Sequence, residues 1–427
     1  MTECLCTKSE FELFAPRAHQ IAAIGSTVEE ILPLSSVQNA SVIEFRIVGG
    51  ETFIDLNDID LEIKARITQA NGANLAADAN VAPINYLLET MFKNVTLTLN
   101  GTHVESSNNN HSFKAYIRTC LNYGSDSKEN QLRMMGYSKD QGGQMNAAAN
   151  PGFVTRRGMA AGSNTFHLYG PLSLDFFVTN DRMLLPYTDM VITLTLHNTE
   201  FAVHALADDA TAKLSVTCAK LHVRRVRANP QLALEIEEHL AKQNAIYPVE
   251  RLVVHTNSVA PGARDISISN IFPEQKPKLV VIGLVNTAAY NGSLGQNPFN
   301  FEPFGADSVA LYKDGMSLCG QPFTPQFATN HYAREYAMLY KSLGKMNRDL
   351  DIALSYSDFR AGYCLFAWNL MPDMELGGHS MPRERGNLTL QIKFSAALAA
   401  GINVIVFGWF DNTIQITRGR QAILDYV

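Results

Sequence analysis

Asn297-Pro-Phe-Asn-Phe301, then Ser308-Val-Ala-Leu-Tyr312, Asp314-Gly315 and the segment running on to Gly344, decide the fold, because the first half of the chain repeats them. Val309 and Leu311 belong to an alternating strand, Asp314-Gly315 turns the chain, and Met316 and Leu318 lie on the return. About half a chain earlier, Val95, Leu97 and Leu99 alternate with Thr96 and Thr98, Asn100-Gly101 turns, and Thr102 to Val104 starts back. Asn-Gly and Asp-Gly suit two-residue hairpins because both central residues need positive φ. A helical pattern follows each hairpin, and His111, Tyr116 and Gly124 recur as His331, Tyr336 and Gly344 at the same spacings. One supersecondary unit therefore occurs twice.

The chain has 427 residues, which suits two domains of roughly 200 residues each. Apolar residues make up 46% and charged residues 18%, a composition that packs well and fits a surface placed against other copies. A net charge of −6 argues against a dedicated nucleic-acid binder, which would show a basic stripe or tail. The N-terminus has no apolar signal core. The longest apolar run, Ala396 to Phe410, is broken by Gly401 and Asn403 and is too short to span a bilayer, so no membrane span is expected. Six cysteines form no Cys-x-x-Cys pair and read as reduced thiols.

In order, residues 1–26 read as an extended arm with an apolar patch at Phe11, Leu13 and Phe14. Strands are predicted at Val42–Val48, Phe53–Leu56 and Leu61–Ile67, followed by a short helix opening at Pro83. After the first hairpin, Phe113, Tyr116, Ile117, Cys120 and Leu121 mark a helix that Gly124 suits as a cap. Ser125 to Thr165 has little period and reads as a long loop. Strands at Leu172–Val178, Met190–Leu196 and Leu214–Val223 close the first half. Asn229-Pro230 caps a linking helix. The second half is predicted to hold strands at Leu252–His255, Asp265–Ile268, Leu279–Val285, Leu350–Leu354, Cys364–Leu370, Leu388–Phe394 and Val404–Phe410, with a turn at Asp411-Asn412 before Thr413–Ile416. About eight strands per half is the jelly-roll solution. The expected architecture is all-β, two tandem eight-stranded jelly rolls with short helical insertions: an arm over 1–26, jelly rolls over 27–228 and 247–427, and a linking helix over 229–246.

With the repeat placed, Asn297-Pro-Phe-Asn-Phe301, Ser308-Val-Ala-Leu-Tyr312 with Asp314-Gly315, and Gln321-Pro-Phe-Thr-Pro-Gln-Phe327 resemble the major capsid proteins of Polinton (Maverick) elements and their adintovirus relatives. Phe53-Ile-Asp-Leu56, Ile63-Lys-Ala-Arg-Ile67 and Ser125-Asp-Ser-Lys-Glu129 fall in that family's order. The resemblance runs from about Ser9 to the C-terminus. It implies a homotrimer whose six jelly rolls form a pseudo-hexagonal capsomer, tiled with minor and penton proteins into an icosahedral shell around a double-stranded DNA genome. It also implies jelly rolls standing upright in the shell with the chain termini toward the interior.

The residues leave one alternative open, a duplicated jelly-roll metalloenzyme or carbohydrate-binding protein. A metal site needs clustered histidines and a carboxylate, whereas the eleven histidines are scattered with no His-x-His. Asp55-Leu-Asn57-Asp58-Ile-Asp60 lacks the glycine and closing glutamate of a calcium loop and reads as an acidic turn. No Gly-x-Ser-x-Gly, Walker or Gly-x-Gly-x-x-Gly motif occurs, so no catalytic residue, cofactor or metal ligand is assigned. Arg224, Arg225 and Arg227 end the last strand of the first half, and Arg418 and Arg420 that of the second. They are expected to form an interior-facing basic patch that meets packaged DNA or a minor protein. Phe11, Leu13 and Phe14 are the candidate contact of the arm with a neighbouring subunit.

Overall fold

A computed structural model describes residues 19–206, 212–318, 320–377, 379–380 and 382–426. In chain order the first half forms β1 (Ala23–Ile31), β2 (Val42–Ile47), β3 (Phe53–Gln69), β4 (Val81–Pro83), β5 (Phe92–Leu99), β6 (Thr102–Ser106), β7 (Phe166–Pro171), β8 (Met190–Leu196), β9 (Val203–Ala205) and β10 (Ala212–Ala228). The second half forms β11 (Ala245–Val259), β12 (Asp265–Ile268), β13 (Leu279–Asn286), β14 (Ala306–Lys313), β15 (Met316–Ser317), β16 (Leu365–Asn369), β17 (Leu388–Phe394), β18 (Ile402–Ile416) and β19 (Ala422–Leu424).

The first half folds into two antiparallel sheets, β1-β10-β3-β7 and β2-β8-β5-β6, with β4 and β9 as a separate ribbon. The second half folds into β11-β18-β13-β16 and β12-β17-β14-β15, with β19 added to the far end of β18. Setting the ribbon and β19 aside, both halves share one topology. The first strand pairs the eighth, the eighth the third and the third the sixth; opposite them run the second, seventh, fourth and fifth. This is the jelly-roll order, made twice.

Local chemistry explains the parts read correctly. Asn100 and Gly101 have φ of 44° and 80°, and Asp314 and Gly315 have 50° and 82°, so both hairpins use the conformation these dipeptides tolerate. Asn229 caps the helix Pro230–Leu240 by accepting the amide of Gln231. Gly344, at φ +66°, closes the turn after helix Ala333–Ser342.

Other expectations change. Phe53–Leu56 and Leu61–Ile67 are one strand, so Asp55 to Asp60 lie within β3 and form no turn. Pro83 ends β4, and the short helix is Leu87–Thr90. Asp175–Val178 is helical, with the strand placed earlier at Phe166–Pro171. Residues 349–354 form no strand, although Ile352 and Leu354 are buried. Asp411 and Asn412 continue β18 without turning. Gly124 precedes the next helix, Ser125–Glu129, with φ −82° and caps nothing in the left-handed region. Strand β1 begins at Ala23, inside the expected arm. Phe11, Leu13 and Phe14 lie outside the described residues.

Three layers of apolar side chains hold the halves. Phe45, Leu61, Leu97 and Ile192 fill the first sandwich, and Val280, Ile282, Leu311 and Leu390 the second. Between the sandwiches, Leu279, Val281, Ala367 and Phe407, on the outer face of the second unit's sheet, join the core that contains Phe113 and Tyr116 of helix His111–Asn122. Strand β13 is therefore buried on both faces, whereas β3 alternates between buried and solvent-facing residues over most of its length.

Candidate functional site

The seam between the units concentrates buried charge. On helix His111–Asn122, Lys114 and Arg118 share a face at i and i+4. Lys114 Nζ lies 2.7 Å from both Glu105 Oε1 and Asp175 Oδ2, and Arg118 donates to Asp175 Oδ1. Asp175 also accepts the amide of Leu252 in β11 at 3.1 Å. Burial pushes the Asp175 carboxyl up, but Lys114 and Arg118 outweigh it and hold the group below the usual carboxylate range.

The segment expected to be a loop, 125–165, forms the second part of the seam. It contains helix Pro151–Ala160 and buries Asp140, Asn150 and Arg156. Arg156 Nη2 donates to Asp140 Oδ1 at 3.0 Å, and Asn297 Nδ2 donates to Asp140 Oδ2 at 3.1 Å. The Tyr363 hydroxyl donates to the Asp140 carbonyl at 2.9 Å. Lys139 pairs with Asp358 at 2.7 Å. Beside them Phe299 stacks on Tyr116 with ring centroids 3.9 Å apart. The Asn297-Pro-Phe motif is thus a plug into the other half.

A third cluster closes the end of helix His111–Asn122. Lys345, from the second unit, donates to the Leu121 and Asn122 carbonyls at 2.8 and 3.0 Å, satisfying acceptors the helix leaves open. Burial, with the charge of Lys128 nearby, pushes the Lys345 ammonium down to about 8.

The five arginines divide. Arg225 donates to Glu29 and to the Val48 carbonyl, and Arg224 lies 3.6 Å from Asp55 and Asp58. Arg227 and Arg418 are exposed and make no ion pair among the described residues. Arg420 departs from the expected basic patch. It is buried, donating to the Pro186 carbonyl at 2.8 Å and to Glu237 on the linking helix. A run of hydrogen bonds still ties both clusters to one end of the first unit. Gly49 donates to Asp189, Asp189 to Asn100, and Asn100 to the Arg420 carbonyl, each at 2.8 Å.

No protein-family model matches the chain. An uncharacterized protein of Caenorhabditis elegans is 26% identical over 391 residues, covering 89% of this chain and 92% of its own. Among solved structures, a chain of the Sputnik virophage particle aligns at a TM-score of 0.68 with 12% identity, over 99% of this chain and 92% of that one. The mavirus major capsid protein aligns at 0.61 with 14% identity, over 100% and 96%. The fold is the double jelly roll of viral capsid proteins. The PBCV-1 virus capsid chain matches it too, at 0.59 with 14% identity over 97% and 99%.

Within this double jelly roll the matched histidines serve different local roles. His111 is buried, its Nε2 2.7 Å from Glu89 Oε2 and its Nδ1 3.1 Å from Ser107 Oγ. His331 is exposed between Gln326 and Thr329. Among the described residues, one group brings three metal-ligating side chains within 4.8 Å, Asp373, Glu375 and His379, and all three are exposed. It sits outside both sandwiches, whose interiors are filled by aliphatic and aromatic side chains. No helix among the described residues is long and apolar enough to cross a membrane.

Proposed function

We propose that this chain is a major capsid protein of the Polinton (Maverick) and adintovirus type, a structural component without catalytic chemistry. Three copies close into a pseudo-hexagonal capsomer, and capsomers tile an icosahedral shell around double-stranded DNA. The observation that carries this reading is the identical strand order of two jelly rolls locked together by a continuous buried seam. Two similar rigid units per chain give six similar units around a three-fold axis, which is the geometry a near-hexagonal tile needs. The partners are further copies of the chain, neighbouring capsomers, minor and penton proteins, and the genome indirectly. The site of action is the virion, with assembly in the host nucleus or cytoplasm. Arg227 and Arg418, at one end of the molecule and without an ion pair among the described residues, are the groups we assign to the interior surface.

Light scattering on purified protein, with metal analysis of the same peak, tests the reading. The expected result is a mass near three times 47.1 kDa, or larger shells, without stoichiometric metal. A metal-bearing monomer would overturn it in favour of a duplicated jelly-roll enzyme.

A further inference from the structure

The linking helix covers a groove that it does not fill. Its apolar stripe, Leu232, Ile236 and Leu240, falls at i, i+4 and i+8, which is one helix face. Leu240 is buried, whereas Leu232 and Ile236 stay half-buried along the wall of an apolar groove of about 480 Å³. That volume lies within the roughly 300–1,000 Å³ of sites that enclose a small organic group. The facing wall comes from three separate places in the chain: Ala22 before β1, Met183 and Leu185 before β8, and Ile246 in β11. Met183 and Ile246 are 39% and 50% exposed, and Leu234 on the helix is 61% exposed. Apolar surface gathered in one open place marks an interaction site, where scattered single residues would not. Arg182 is the charged side chain of the lining; it donates to the Ile246 carbonyl and makes no ion pair among the described residues.

Continuity of the chain identifies the occupant. Ala22 is fixed beside the first turn of the helix, its carbonyl accepting the Asn229 amide at 2.8 Å. Gln20 braces the approach by accepting the Ala23 amide at 2.9 Å. Residues 1–18 lie outside the described residues and join the chain at this point. Phe14 stands eight positions before Ala22. At about 3.3 Å per residue that stretch spans up to about 26 Å, against about 16 Å for the 11-residue helix above the groove. Phe11, Leu13 and Phe14 match the apolar lining, and Glu10 and Glu12 beside them supply a counter-charge for Arg182.

We propose that Phe11, Leu13 and Phe14 dock into the groove beneath the linking helix of their own chain, instead of the neighbouring subunit expected from the sequence. Tethering favours this occupant, because a short linker holds the segment at about millimolar effective concentration beside its site. Docking covers Leu232 and Ile236 and clamps the joint between the two jelly rolls. The contact belongs to a single chain and stands apart from the trimeric reading.

A full-length chain carrying Cys4→Ser, Cys6→Ser, Leu13→Cys and Ile236→Cys tests this, with each single-cysteine variant as the control for the half-buried Cys218. Mild oxidation should link positions 13 and 236 within one chain. The product keeps single-chain mobility on a non-reducing gel and yields the linked peptide by mass spectrometry. Chains joined to one another through these positions would give the groove to a neighbour's arm and overturn the proposal, as would the absence of any link. A second variant leaves the groove itself intact: Phe11→Ser, Leu13→Ser and Phe14→Ser in the full chain. Amide hydrogen exchange over Gln231 to Leu240 should then quicken several-fold, and unchanged exchange would equally overturn the docking.

Discussion

Asp175 Oδ2 accepts the Leu252 amide at 3.1 Å while holding Lys114 and Arg118, so one carboxylate joins an edge strand of the second jelly roll to the helix of the first. Asp175→Asn leaves two buried cations short of their counter-charge. The expected cost is about 3–5 kcal/mol in urea unfolding. The sign with pH follows from the depressed carboxyl. Its contribution is complete above the unfolded value of about 3.9 and is lost as pH falls through the lower folded value. The variant should therefore flatten the acid limb of the stability curve, and an unchanged limb would assign that limb to other groups.

Phe299 stacks on Tyr116 and meets Phe113 edge-on at 5.5 Å. Phe299→Ala should cost about 3–5 kcal/mol through a cavity in the shared core. Because that core joins both units, they should unfold in one transition in the native protein. Scanning calorimetry that resolves two transitions in the variant would locate the lost coupling at this plug.

Burial pushes the His197 imidazole down to about 3, with Phe201 stacked on it at 3.8 Å. Between an unfolded value of about 6.5 and the folded value, the unfolded chain binds the extra proton, so stability falls as pH drops across that window. The slope from one such group is about 1.4 kcal/mol per pH unit. His197→Phe should remove it, seen as a shallower dependence of the melting temperature between pH 6.5 and 4. An identical slope in the variant would rule His197 out as its source.

Two glycines separate local from tertiary demands. Gly315 sits at φ +82° with open space where a β-carbon would go, so Gly315→Ala should cost about 1–2 kcal/mol from backbone strain alone. A β-carbon at Gly283 would lie 2.5 Å from Phe301 Cδ1. Gly283→Ala must displace that ring and should cost about 1–3 kcal/mol by overpacking the seam. Pairing it with Phe301→Leu should recover part of the loss in a double-mutant cycle, whereas strict additivity would exclude the contact.

Arg227→Ser with Arg418→Ser should leave assembled particles intact and lower their DNA content, measured by the absorbance ratio of purified particles. Arg420→Ser should instead destabilise the chain, because it removes the partner of Glu237 and Pro186. Full genome content in the Arg227 and Arg418 variant would withdraw the interior assignment.

Much of this was legible in the residues. Turn chemistry at Asn100-Gly101 and Asp314-Gly315, alternation in β3, β5 and β17, and the Asn229-Pro230 cap are local codes, read within a few positions of themselves. Duplication then supplied the two-unit plan. The misread places share one cause. Leu350, Ile352 and Leu354 alternate like a strand, yet the Leu354 carbonyl is taken by the Tyr336 and Tyr340 hydroxyls rather than a ladder. Asp411-Asn412 looks like a turn, yet Asn412 is buried and donates to Gln275 at 3.0 Å, which keeps it in line. Segment 125–165 lacked any period because its buried anchors, Asp140 and Arg156, are charged and answer to each other and to Asn297. Periodicity records burial of one face against a neighbour in the same unit. The sequence by itself determined that there are two similar β-sandwiches; only the tertiary structure decided which faces they press together, because a seam is made by residues far apart in the chain.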